Sequence, residues 1–169
     1  MSIDSIPVSS FMTRDVKTET EDQNIQAVCK IMNENNIGSV VIVSLGDKGQ
    51  KPAGIITERD IVRTIGKLNP VLIHTPIKEL MSKPLIILSP NGTIKDALQT
   101  MQQKDIRRIP IVEGATMKGI ITDKDVFRAI LNNKISLDAL ISDSAIAEAH
   151  RLVFDQYREY FFNDILQKR

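Results

Sequence analysis

One cysteine, two histidines and no tryptophan in 169 residues remove several classes of chemistry at once. A single cysteine, Cys29, excludes a disulfide framework and a thiolate zinc site within one chain. Its place on an apolar helical stripe reads as a small buried hydrophobe. His74 and His150 stand far apart, and no Ser-His-Asp order, metal-ligand cluster, Walker loop or dinucleotide glycine fingerprint accompanies them. No catalytic residue and no metal site is therefore expected, and the chain does not read as an enzyme. A net charge of +1 gives no global pull toward nucleic acid or membrane. No run approaches the roughly 20 apolar residues of a membrane span. The opening Met-Ser-Ile-Asp-Ser lacks the basic-then-apolar order of a signal peptide. These absences lead to the expectation of a cytoplasmic protein. The apolar share of 42% and charged share of 25% are those of a globular protein, and the length suits one or two small domains with a real core.

What is present is organised around one duplicated stretch. Gly54-Ile55-Ile56-Thr57-Glu58-Arg59-Asp60 returns as Gly119-Ile120-Ile121-Thr122-Asp123-Lys124-Asp125. Each copy reads as a strand end, a turn and the first turn of a helix. Thr-x-x-Asp before an apolar run is a capping box, in which the Thr oxygen bonds a free N–H and the carboxylate reaches back. A second reading is a nucleotide site. Unpaired N–H groups at a helix start attract phosphate, and a carboxylate can accept both hydroxyls of a ribose. The two readings are compatible.

The duplication extends beyond this stretch. Residues 7–43 slide onto 76–112 with 7 identities in 37 positions, while 54–65 match 119–130 at 7 of 12. Likeness is thus concentrated at the proposed site, not in the core. Patterns agree where identities do not: Ile25, Val28, Cys29 and Met32 form a helical stripe, as do Ile94, Ala97, Leu98 and Met101. Ser39 to Val43 reads as a buried strand, matched by Ile109 to Val112, where Pro110 belongs at a strand start or edge. Each copy reads as short helix, strand, helix, strand, strand, helix. The copies span residues 6–65 and 75–131, joined by a linker over 66–74 and followed by an extension over 132–169. The first copy has four extra residues in 44–53, whose glycines and proline read as a hairpin loop.

Phe11-Met12-Thr13, Leu80-Met81-Ser82, Arg107 to Val112 and the two Gly-Ile-Ile-Thr-x-x-Asp segments, in this order and duplicated, resemble the CBS-domain family as a tandem pair, or Bateman module. The resemblance covers about residues 6–131. It implies an α/β (α+β) fold with pseudo-twofold symmetry and two clefts between the paired repeats. It further implies an adenosine ligand there: AMP, ADP, ATP or S-adenosylmethionine, with no obligatory cofactor. One cleft would use Thr122 and Asp125, with Thr18 near the base; the other would use Thr57 and Asp60, where Ile87 replaces the threonine. The base would lie among aliphatic side chains such as Ile37, Ile55 and Ile120. Arg59, Lys124, Arg107 and Arg108 are candidates for phosphate. Gly38 and Ser39 occupy the places of Arg107 and Arg108 in the first copy, so basic charge is shared unevenly.

The extension gathers Phe154, Tyr157, Tyr160, Phe161 and Phe162, five of the seven aromatic residues. With Asp143 or Ser144 as cap it reads as a final helix reaching about Gln167. Its broad apolar face could pack on its own module, or serve as an interface for an effector protein or for a second copy, a homodimer being expected through the CBS faces, this helix or both. The function expected is a regulatory protein, without an attached catalytic domain, that senses cellular energy through adenosine nucleotides and signals to a partner. A sensor of S-adenosylmethionine, a structural module with degenerate clefts, and a nucleic-acid-binding adaptor are the alternatives.

Overall fold

The computed structural model describes residues 3–46, 49–66, 74–132 and 135. The aromatic stretch and the helix expected over 143–167 lie outside them. The chain divides into two compact units that do not follow the order of the repeats. Unit one contains Met1–Met12, Pro90–Ile109 and Ile121–Arg169; unit two contains Thr13–Ser89 and Pro110–Ile120.

In the first copy, a 3-10 turn over Val8–Ser10 precedes β1 (Thr18–Thr20), α1 (Ile25–Asn35), β2 (Ser39–Gly46), β3 (Gly49–Thr57) and α2 (Glu58–Ile65). In the second, a 3-10 turn over Ile77–Glu79 precedes α3 (Ile94–Lys104), β4 (Arg108–Glu113), β5 (Thr116–Thr122) and α4 (Asp123–Leu131). β2 lies between β1, its parallel neighbour, and β3, its antiparallel neighbour; β4 pairs with β5. The helical stripes expected from the sequence are the buried faces: Ile25, Val28 and Met32 on α1, and Ile94, Ala97 and Met101 on α3. Cys29 is only half-buried, and that burial pushes its thiol pKa up. Both helices stop on a left-handed residue, Asn36 at φ 51° and Asp105 at φ 49°. Asn and Asp tolerate that conformation. In each case the cap N–H returns to the last turn of the helix and the chain enters the next strand.

Two local readings are corrected by backbone hydrogen bonding. The second copy lacks a counterpart of β1; only an isolated parallel bridge joins Leu88 to Ile111. In the first copy the Val41 N–H donates to the Lys17 carbonyl at 3.2 Å. Pro110 holds the equivalent position and has no N–H, although its carbonyl accepts from the Leu88 N–H at 3.1 Å. The proline therefore sits inside β4 and shortens the pairing on one side. The second correction concerns 44–53. Val43 pairs with Pro52, Ser44 with Lys51, Leu45 with Gln50 and Gly46 with Gly49, so most of the expected loop is a longer hairpin. The register skips Ala53 between the Ile42–Gly54 and Val43–Pro52 pairs, a bulge.

The leading turn of each copy is built into the other. In unit one, the Val8 N–H donates to Gly92 O at 2.8 Å and the Ile94 N–H to Ile6 O at 2.9 Å. In unit two, the Ile77 N–H donates to Gln23 O at 2.7 Å and the Lys78 N–H to Glu21 O at 3.0 Å. Ile77 and Met81 complete the core made by Val28, Met32, Val40, Ile42 and Ile56. Ser82 then pairs with Ile55, its N–H donating at 2.9 Å and its carbonyl accepting at 3.2 Å. Thr13 pairs in the same way with Ile120, with both bonds at 2.9 Å.

This crossing needs a residue without a side chain at 54. A Cβ there would come within 2.8 Å of Met81 Cγ and 3.1 Å of the Ser82 carbonyl oxygen. Gly54→Ala should lower stability by about 1–3 kcal/mol in urea denaturation. Gly46→Ala, whose Cβ would meet nothing nearer than 3.9 Å, should change it by less than about 0.5 kcal/mol.

Candidate functional site

Both duplicated turns fold as capping boxes. At α2, the Asp60 N–H donates to Thr57 Oγ1 at 3.3 Å, and Asp60 Oδ2 accepts from the Thr57 N–H at 2.9 Å and Oγ1–H at 2.7 Å. At α4, Thr122 and Asp125 repeat this arrangement at 3.2, 2.9 and 2.7 Å. The reason is local: an N-cap threonine and an acid three residues on satisfy two donors that the helix start leaves open. Thr93 and Asp96 make a third capping box, at the start of α3. That Thr-x-x-Asp was as visible in the sequence as the other two, though it lacks the Gly-Ile-Ile lead. The cap alone is thus a structural device of this chain.

What sets the duplicated turns apart is the second carboxylate oxygen and its neighbours. Asp60 Oδ1 accepts from Ser82 Oγ–H at 3.3 Å. This contact brings a side chain from the second copy to the acidic turn of the first, within unit two. Asp125 Oδ1 lies 3.9 Å from Arg128 Nη1, one turn along the same helix, and the Asp125 side chain is only 10% exposed.

The residue that leads into each turn differs. The Asp123 N–H donates to Arg107 O at 3.1 Å, so Arg107 stands against the start of α4 in unit one. The Glu58 N–H donates to Gly38 O at 3.2 Å, which puts Gly38 at the matching place in unit two. The two helix starts are thus met by the backbone carbonyls of different residues, an arginine in one copy and a glycine in the other. Arg107, Arg59 and Lys124 are exposed, and Arg108 is half-buried at the beginning of β4.

The remaining candidates are placed as follows. Ile55 is half-buried on β3 and pairs with Ser82, so unit two brings Ile55, Thr57, Asp60 and Ser82 together. Ile37 is half-buried against the core, its N–H donating to Met32 O at 3.0 Å. Ile120 is half-buried on β5 and pairs with Thr13. Thr18 is half-buried on β1 opposite Val41, and Ile87, its counterpart, is 46% exposed. Thr18, Ile37 and Ile120 belong to unit two, whereas Thr122 and Asp125 belong to unit one. Ser82 and Arg128 were not among the residues singled out from the sequence. Ser82 had a signal, since it shares the Met-Thr/Ser position with Thr13. Arg128 had a weaker one, its spacing of three from Asp125.

Among the described residues no group of three or more His, Cys, Asp or Glu side chains could hold a metal ion. No described helix is long and apolar enough to cross a membrane.

Comparison with known proteins agrees with this geometry. Residues 8–67 and 77–132 each match the CBS domain. The CBS domain-containing protein YhcV of Bacillus subtilis is 33% identical over 138 residues, covering 81% of this chain and 94% of that protein. A Methanocaldococcus jannaschii protein, MJ1404, is 32% identical over 139 residues, which span 75% of this chain but only 32% of the length of that relative. The crystal structure of a CBS-domain containing protein from Agrobacterium tumefaciens superposes with a TM-score of 0.62 at 28% identity, covering 69% of this chain and 84% of that one. The chain belongs to the CBS-domain family, as a tandem pair of repeats on an α/β fold.

Proposed function

We propose that the chain is a regulatory protein that binds an adenosine nucleotide (AMP, ADP or ATP) at its duplicated acidic turns and passes the occupancy of those turns to a partner. CBS domains are generally regulatory rather than catalytic and often bind adenosine ligands. The observation that carries the reading is the division of labour within each carboxylate. Oδ2 of Asp60 and of Asp125 is used by the cap, and Oδ1 faces groups from outside the cap. An oxygen in that position can accept a sugar hydroxyl while the helix start remains intact. At α4, Arg107 adds a guanidinium suited to phosphate. At α2, Gly38 offers no charge in its place, which favours a ligand with less negative charge there, such as S-adenosylmethionine, as a second reading.

Signalling requires that the ligand bind one state of the protein better than another. We infer that the partner, a second copy or an effector, meets the aromatic stretch between Val153 and Leu166, where the sequence concentrates rigid apolar side chains.

AMP at 100 times its Kd should raise stability by about 2.7 kcal/mol, measured by thermal shift in parallel with ADP, ATP, S-adenosylmethionine and, as a control, RNA. Asp125→Ala and Asp60→Ala should each abolish or greatly weaken binding at their own turn. Asp96→Ala should cost about 1 kcal/mol of stability through the lost cap bond and leave AMP affinity unchanged. Equal losses of AMP affinity from all three variants would make capping the whole role of these acids. Deleting residues 136–169 should remove self-association or effector capture in sedimentation and pull-down assays without changing AMP affinity.

A further inference from the structure

One dipeptide in unit one is reactive by its own composition. Asn91 is followed by Gly92, and no other asparagine of the chain precedes a glycine. An asparagine side-chain amide lies within reach of the next residue's backbone nitrogen, and glycine puts no Cβ in the way. Asn91 is exposed, in the turn that leads to α3.

The other described asparagines are placed where the same reaction is hindered. Asn24 is the N-cap of α1, its Oδ1 accepting from the Ala27 N–H at 3.1 Å, and the β-branched Ile25 follows it. Asn33 and Asn35 lie within α1, where Asn35 Nδ2 donates to Ile31 O at 2.8 Å. Asn36 precedes Ile37, whose N–H is engaged with Met32 O at 3.0 Å. Asn132 precedes another asparagine.

Gly92 also has a structural task. Its carbonyl accepts from the Val8 N–H at 2.8 Å, and two residues on, the Ile94 N–H donates to Ile6 O at 2.9 Å. These bonds flank the bridge between Pro7 and Thr93, which ties the leading turn of the first copy to the start of α3. Val8 and Ile94 are fully buried.

We propose that Asn91–Gly92 is a self-modification site whose isoaspartate product releases this tie. The Gly92 backbone nitrogen attacks Cγ of Asn91 and forms a C–N bond. The Cγ–Nδ2 bond breaks, and Nδ2 leaves as ammonia with the proton given up by Gly92. Water then opens the cyclic imide. Opening at Cγ gives aspartate on an unchanged backbone. Its charge sits near the start of α3, where a negative group is favourable. Opening at the main-chain carbonyl gives isoaspartate, whose backbone runs through Cβ and Cγ and is longer by one carbon. The added carbon displaces the Gly92 carbonyl from the Val8 N–H, while Thr93 and Asp96 still cap α3. The reaction needs only water, so it stands apart from the nucleotide reading.

The test ages the full chain at physiological temperature and follows each asparagine by peptide mass spectrometry. Aged Asn91→Gln and freshly made Asn91→Asp run beside it. Asn91 should convert at least an order of magnitude faster than Asn24, Asn33, Asn35, Asn36 and Asn132, with isoaspartate among its products. Conversion no faster than theirs, or conversion to aspartate alone, overturns the site. The isoaspartate fraction, separated by chromatography, should lose the protection of the Val8 and Ile94 amides against hydrogen exchange. Asn91→Asp should keep that protection, since its backbone has the normal length. Asn91→Gln, whose longer side chain closes a ring only slowly, should come through the incubation unmodified at 91 and protected. Protection retained in the isoaspartate fraction, or lost equally in Asn91→Asp or in aged Asn91→Gln, overturns the release of the tie.

Discussion

The two backbone hydrogen bonds between Ile55 and Ser82 are the constraint from which much else follows. They tie the end of the strand that leads into α2 to a segment more than twenty residues further along the chain. Because they are made, Met81 is held over Gly54 and joins Ile77 in the core of the first copy. The side chain of Ser82 then reaches the carboxylate of Asp60. Packing and site geometry are set by one short crossing. The matching bonds between Thr13 and Ile120 have the same form.

The acidic turns share one capping device and sit among different neighbours. Capping needs only a short oxygen-bearing side chain and an acid three residues later, and Thr93 with Asp96 does this without the rest of the duplicated stretch. The duplicated turns also have neighbours that capping does not require: Ser82 beside Asp60 at α2, and the Arg107 carbonyl and Arg128 at α4. Those neighbours differ between the copies although the turns are nearly the same. The copies share a common device and diverge in what surrounds it.

Much of this was legible in the residues because it depends on local periodicity and on caps. The buried stripes of α1 and α3 follow from apolar spacing, and the starts of α2 and α4 follow from Thr-x-x-Asp. What was not legible depends on pairing at a distance. The glycines and proline of 44–53 suggested a loop, but pairing from Val43 to Gly46 with Gly49 to Pro52 outweighed those local preferences. The pattern of the second copy suggested a strand near Leu88, and the missing N–H of Pro110 reduced it to a bridge. The Met-Thr/Ser positions were visible as a motif, yet nothing local to residue 82 announces Asp60 as its partner. That contact exists only after the crossing has formed.

The trade of leading turns bears on how such a protein could arise. A chain with one copy would expose the flank of its own Ile55 and the gap that Ile77 and Met81 now fill, and it would have no internal means of closing either. It could close them only by borrowing the turn of another molecule, and by lending its own in return. A duplicated gene would then have fused two already interdependent molecules, turning an association that depends on concentration into one that does not.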